Sequence, residues 1–184
     1  MTRQETSRSP ASPTASAVLV PVFRDDQEEL RLVLVARGPA GIHGGQVSLP
    51  GGKQEPADSS LLDTALRETE EEIGLARSEI EVLAALRPVD TRTTGFRVHP
   101  FLARVHTPER WSLATDEITA VLTPLVRTLA DPTARTEAVL SFPNWPEPRR
   151  VECIPLDDGH ALWGLTLRLL DALLPQLLAG EWTI

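Results

Sequence analysis

Glu68, Glu71 and Glu72 stand three and four residues apart in the run Leu66-Arg67-Glu68-Thr69-Glu70-Glu71-Glu72-Ile73-Gly74, just after the glycine-rich stretch Leu49-Pro50-Gly51-Gly52-Lys53. On an α-helix each residue advances by roughly 100°. Glu71 and Glu72 then fall about 60° and 40° to either side of Glu68 and share its face. Glu70 points nearly opposite, toward solvent. Three carboxylates on one stripe repel one another unless protons or cations neutralise them. A hard divalent cation is the natural remedy, and Mg²⁺ commonly joins a few carboxylates to substrate phosphates. The pattern therefore suits phosphate chemistry. Glutamate runs on helices are also commonly plain solvated faces, so the stripe alone leaves both readings open.

A helix can present such a stripe only if another face holds it to a core. Leu62, Leu66, Thr69 and Ile73 gather on the neighbouring face, which predicts a helix over Ser60–Ile73 with the carboxylates bordering the core and Gly74 as its stop. The Gly51-Gly52 turn permits positive φ and close backbone approach, so it can lend a carbonyl or N–H to the same cluster. Ala17–Phe23 and Leu30–Arg37 read as strands joined by the polar run 24–28, a hairpin. Val47–Leu49 is a short strand entering the glycine turn. Further strands are expected at Ile80–Arg87, Arg97–Val105, Glu117–Leu122, Thr136–Phe142 and Arg149–Ile154. A short helix is expected at Leu125–Ala130 and a longer one at Ala161–Leu178, with Leu162, Leu165, Leu169 and Leu173 as its core stripe. Strands mixed with helices indicate an α/β class.

At the motif the chain closely resembles the Nudix hydrolases. Gly52, Asp58, Arg67-Glu68, Glu71-Glu72, Gly74 and Leu75 fill the slots of that family's signature. Asp58 stands where a glutamate is usual, Thr69 stands where an apolar residue is usual, and the gap between Asp58 and Arg67 is one residue longer. The flanks narrow the resemblance to the coenzyme A pyrophosphatase branch. They are Val33-Leu34-Val35-Ala36-Arg37, His43-Gly44-Gly45-Gln46-Val47-Ser48-Leu49-Pro50-Gly51-Gly52, the stretch from Asp90 to Phe101, Asp116-Glu117-Ile118 and Trp163-Gly164-Leu165-Thr166.

The resemblance implies an α/β/α sandwich with a mixed β-sheet over residues 17–184. It implies metal-dependent hydrolysis of the pyrophosphate bond of coenzyme A, with Mg²⁺ or Mn²⁺ as cofactor. The products would be 3′,5′-ADP and 4′-phosphopantetheine. Glu68, Glu72 and Glu71, with the Gly51 carbonyl, are the implied metal ligands. Arg67 is expected to hold Glu71 in position and Asp58 to partner Arg67. Glu117, with Asp116 behind it, is the candidate base, although either reads equally well as a solvated loop carboxylate. Arg37, Lys53, Arg92 and Arg97 are candidate phosphate donors, with His43 a further one. Phe96 and the 38–45 loop could line a groove for the pantetheine arm. Two other readings remain: a pyrophosphatase for another nucleoside diphosphate derivative such as ADP-ribose or NADH, and a nucleotide-sensing domain without catalysis.

Composition bounds the remainder. The 184 residues suit one domain with a sizeable core. A net charge of −8, from 18 Lys+Arg and 26 Asp+Glu, argues against nucleic-acid binding through a broad basic surface. The expected partner is a small nucleotide, and a homodimer is allowed for. Cys153, the single cysteine, reads as a small packed hydrophobe in a strand and fits a reducing cytoplasm. Residues 1–16, rich in Ser, Thr, Pro and Arg, read as a disordered leader. No stretch approaches the roughly 20 apolar residues of a membrane span.

Overall fold

The computed structural model of the chain describes residues 13–39, 44–91, 95–141 and 145–184. Strand β1, Thr14–Arg24, runs through the centre of the main sheet. Its Leu19 enters one apolar cluster, while Val20 and Val22 enter another on the opposite face, as the period-two alternation of a strand requires. Both faces are covered, which is why 17–23 is an almost unbroken apolar run. Thr14–Ser16, expected within the leader, instead pair in register with Phe96–Val98. Backbone hydrogen bonds hold this first part of β1, so its small polar side chains gave no sign of it.

Strand β2, Leu30–Leu32, returns antiparallel to β1 and completes the expected hairpin. The single strand predicted over Leu30–Arg37 is in fact two. After Val33 the chain leaves for a second sheet, in which β3 (Leu34–Arg37) lies between β4 (Val47–Ser48) and a later strand. The Val33 N–H donates to the Pro21 carbonyl, and residues Leu32 to Val35 are fully buried. A continuous apolar run carries no period to mark where the chain changes partners.

Strand β5, Gly51–Lys53, pairs with β1 through Gly51–Val18 and Gly52–Ala17 and leads to helix α1, Leu61–Ile73. Strands β6 (Ile80–Ala85) and β7 (Val89–Asp90) both run antiparallel to β8, Phe96–Val105. β8 itself lies parallel to β1 along nine register pairs. The main sheet is thus mixed, in the order β2-β1-β8-β6. Strand β9, Ile118–Leu122, closes the β4-β3-β9 sheet. Helix α2, Val126–Ala130, follows, and then an antiparallel sheet of β10 (Thr136–Leu140), β11 (Arg149–Pro155) and β12 (Ala161–Trp163).

The helix predicted from Ala161 begins only at Gly164, as α3, Gly164–Leu178. Ala161–Trp163 pair with Cys153–Pro155, and Gly164 turns strand into helix at φ 67°, a conformation that favours glycine. Leu162 is therefore a core residue of a strand. Ile73 of α1 packs with Leu19 on one face of the main sheet. The α3 leucines 167, 169, 170, 173, 174 and 177 pack with Val20, Val22 and Leu102 on the other. Helices on both sides of a mixed sheet make the α/β/α sandwich that the sequence implied. Cys153 is buried in β11, where desolvation raises its thiol pKa. No described helix is long and apolar enough to cross a membrane.

Candidate active site

Local chemistry fixes both ends of α1. The Ser60 hydroxyl accepts the Asp63 N–H at the N-terminus, and Gly74 ends the helix at φ 69° with its N–H donating to the Glu70 carbonyl. Between them the buried residues are Thr64, Ala65, Thr69, Glu72 and Ile73, whereas Leu62 and Leu66 are only partly buried. The carboxylate stripe does not merely border the core. Glu72 is inside it, 2% exposed. Thr69 is accommodated there because its hydroxyl donates to the Ala65 carbonyl at 2.7 Å, which satisfies the buried polar atom.

Strand β5 explains how a carboxylate tolerates this position. Gly51, at φ 148°, donates its N–H to Glu72 Oε2 at 3.0 Å. Arg37, at the end of β3, donates from Nη2 to Glu72 Oε1 at 2.6 Å and to the Gly51 carbonyl at 3.3 Å, and from Nε to Ser48 Oγ at 3.3 Å. A Cβ on Gly52 would lie 2.3 Å from the Glu68 carboxylate. Two glycines thus let β5 pass between β1 and the glutamate stripe. Burial raises the Glu72 carboxyl to about 7, and neighbouring Glu68 and Glu117 add to the rise, against the opposing pull of Arg37 and the Gly51 N–H. Burial also raises Glu68, against the pull of Arg67.

Arg67 organises the other side of the stripe. Its Nε and Nη2 donate to both oxygens of Asp58 at 2.8 and 3.1 Å, a two-pronged pairing suited to a planar guanidinium. Nη2 also reaches Glu68 Oε1 at 3.1 Å and the Lys53 carbonyl at 3.3 Å, and Nη1 reaches Glu71 Oε2 at 2.9 Å. The hydrogen bonds from Arg67 and the Glu55 N–H hold Asp58 well below the usual carboxylate range. Asp58 therefore anchors Arg67, and Arg67 in turn positions two motif glutamates.

A cavity of about 620 Å³ opens beside these residues. Its lining mixes the charged Glu68, Glu72, Glu117, Arg37 and Lys53 and the backbone of Gly51 with the apolar Val18, Phe96, Val98, Trp163, Leu165 and Leu169. The Lys53 ammonium stands 5.3 Å from the centre of the Phe96 ring. Glu117 reaches the cavity from the turn before β9. Glu71 is exposed and, like Arg67, lies off the described cavity wall. Arg97 pairs with Asp90 at 3.5 Å and also stands away from it. Arg92 and His43 fall outside the described residues. Sequence reasoning missed the lining role of Leu165 and Leu169, which the leucine stripe assigned to the core, and the contact between Arg37 and Glu72.

Among the described residues no group of three or more His, Cys, Asp or Glu side chains is placed to hold a metal ion. Two carboxylates and a backbone carbonyl are nevertheless grouped on the cavity wall. Glu72, Glu68 and the Gly51 carbonyl are all oxygens on one wall, and Glu72 is a buried carboxylate with a strong demand for positive charge. Mg²⁺ or Mn²⁺ fits such a set, because these ions complete their shells with water and phosphate oxygens. A metal needs Glu72 ionised, so binding below its raised pKa must displace a proton. Isothermal titration in buffers of differing ionisation enthalpy should show about one proton released per metal near about pH 6 and far less near about pH 8.5. Without metal the sign reverses: stability that Glu72 contributes in full below its ordinary 4.5 is lost as pH climbs through about 7.

The NUDIX domain family model matches residues 13–145. The uncharacterized Nudix hydrolase NudL of Klebsiella pneumoniae subsp. pneumoniae is 37% identical over 120 residues, 65% of this chain and 61% of its own length. The chain thus spans less than two thirds of the curated relatives it first matches. The crystal structure of RenU, a Nudix hydrolase from M. smegmatis, aligns with a TM-score of 0.63 over 94% of this chain and 89% of that one, at 14% identity. The NUDIX domain of Shewanella oneidensis NrtR, complexed with ADP ribose, aligns with a TM-score of 0.50 over 68% of this chain and 80% of that one, at 20% identity. At such identities the structural likeness shows the fold.

Proposed function

Because the chain belongs to the NUDIX domain family, we propose that it hydrolyses the pyrophosphate bond of a nucleoside diphosphate derivative with Mg²⁺ or Mn²⁺, and that its substrate is coenzyme A, free, acylated or oxidised. The observation that carries the hydrolase reading is the buried Glu72, held by the Gly51 N–H on the wall of a cavity that Glu68 and Glu117 share. Glu72, Glu68 and the Gly51 carbonyl would hold the cation, while Glu71, exposed and paired with Arg67, stands off the cavity wall. Once bound, the cation supplies neutralisation of phosphate oxygens and a lowered pKa for a water molecule. Arg67 keeps Glu68 and Glu71 aimed. Glu117 is the base that takes the proton of the attacking water. Lys53 and Arg37 are the phosphate donors on the cavity wall.

Two features favour coenzyme A. The flanking segments of the motif resemble that branch of the family. The cavity also lines itself with the apolar Val18, Val98, Trp163, Leu165 and Leu169 as well as with charged groups, which suits a substrate that carries both a diphosphate and a pantetheine arm. The products are then 3′,5′-ADP and 4′-phosphopantetheine, and a cytoplasmic setting fits such a substrate. Turnover of coenzyme A, acetyl-coenzyme A, ADP-ribose and NADH should be compared with each metal. Coenzyme A or its acyl form should show kcat/KM at least about tenfold above the others. Strong turnover of ADP-ribose or NADH with none of coenzyme A would overturn the substrate assignment and leave the hydrolase reading standing.

A further inference from the structure

We propose that Arg37 and the divalent cation alternate on the same two oxygens: in the metal-free protein the guanidinium bridges the Glu72 carboxylate and the Gly51 carbonyl, and metal entry releases it to grip a substrate phosphate. The inference rests on the metal-dependent reading above. Arg37 Nη2 lies 2.6 Å from Glu72 Oε1 and 3.3 Å from the Gly51 carbonyl oxygen. These are the two oxygens that α1 and β5 offer a cation in common. A guanidinium and a divalent ion are like charges and cannot share them at contact distance. One of the two must leave.

The surroundings decide which group moves. The Glu72 side chain is 3% exposed and its second oxygen is fixed by the Gly51 N–H. The Arg37 side chain is 25% exposed and lines the open cavity, so it has space to turn into. It projects from a register shift between Ala36 and Arg37, where β3 pairs Arg37 with Ile118. Such bulges re-aim a side chain at the end of a strand. Its other side-chain hydrogen bond among the described residues, to Ser48 Oγ at 3.3 Å, is long. Lys53, the other cation on the described wall, is placed over Phe96 and has no hydrogen bond or ion pair to Glu72 or the Gly51 carbonyl among the described contacts. One side chain therefore links two events. Metal must displace Arg37, and displaced Arg37 is free to meet phosphate, so each ligand should strengthen the other reciprocally.

The test is Mn²⁺ binding to the full chain without nucleotide, read by electron paramagnetic resonance. Arg37→Ala should bind Mn²⁺ about fivefold or more tightly than wild type, with Arg37→Lys between them. Lys53→Ala should change the affinity by less than about twofold, because it removes a charge from the same cavity without vacating those oxygens. In addition, Mn²⁺ should tighten ADP binding more in wild type than in either Arg37 variant. Unchanged or weaker Mn²⁺ affinity in the Arg37 variants overturns the proposal, as does equal tightening in Lys53→Ala, which would mark a general charge effect. Should Arg37→Ala not fold, Arg37→Lys decides by the same criterion. Wild type that hydrolyses coenzyme A, with unaltered Mn²⁺ affinity in both variants, overturns the exchange alone. Tighter Mn²⁺ binding by the variants of a protein that cleaves no pyrophosphate overturns the hydrolase reading alone.

Discussion

Glu72→Gln should lower kcat for pyrophosphate hydrolysis by about 10³-fold, equivalent to about 4 kcal/mol of barrier, while KM changes little. Glutamine keeps the shape of the side chain, and its single carbonyl oxygen can still accept the Gly51 N–H while the partly exposed Arg37 turns its guanidinium away. It does not carry the charge that a divalent ion requires. Because burial already disfavours that charge, the metal-free variant should melt no lower than wild type near about pH 8. Loss of rate without loss of fold separates a ligand from a structural residue. Glu70→Gln is the control. Glu70 is exposed and only loosely paired with Arg77, at 3.7 Å, so its substitution should leave kcat within about twofold. A protein that merely binds nucleotide would have no metal-dependent rate for Glu72→Gln to lower.

Gly51→Ala destabilises the fold by about 2–6 kcal/mol, the sum of a backbone held outside the region of L-residues and an overpacked contact. Its φ is 148°, and a Cβ there would meet the Ala17 carbonyl oxygen at 2.3 Å and Val18 Cα at 2.6 Å. Both atoms belong to the backbone of β1, the buried centre of the main sheet, which cannot step aside. A domain of this size loses roughly 2–4 °C per kcal/mol, so thermal unfolding should fall by about 4–24 °C. Gly52→Ala makes the informative contrast. Its Cβ would meet the end of the Glu68 side chain at 2.3 Å, and a side-chain terminus can rotate away. That variant should melt close to wild type yet lose activity, because the displaced carboxylate no longer faces the cavity.

The limits of α1 were legible because they depend on local chemistry: a Ser60 hydroxyl that reaches one N–H, and a Gly74 backbone that adopts left-handed φ. The hairpin of β1 and β2 was legible for the same reason. The burial of Glu72 was not. Helical spacing gives the angles between Glu68, Glu71 and Glu72 but not which side of the helix meets the sheet. Leucines at 62 and 66 drew the predicted core toward themselves. The close approach of β5, possible only with glycine at 51 and 52, turned the face around Glu72 inward instead. The pairing of Arg37 with Glu72 spans 35 residues and depends on β3 leaving the main sheet at Val33, a step hidden in an apolar run. Trp163-Gly164-Leu165 shows the same limit: the leucine period continued from Leu162 into α3, while a glycine at φ 67° divided strand from helix.

Phosphorus NMR of coenzyme A incubated with the protein shows at once whether this cavity breaks a pyrophosphate bond in a metal-dependent reaction. With Mg²⁺ or Mn²⁺ the paired diphosphate resonances should vanish as two new phosphomonoester resonances grow in equal amount, and excess chelator should stop the change. Diphosphate resonances that persist with both metals, for coenzyme A and equally for ADP-ribose and NADH, would rule out a pyrophosphate hydrolase.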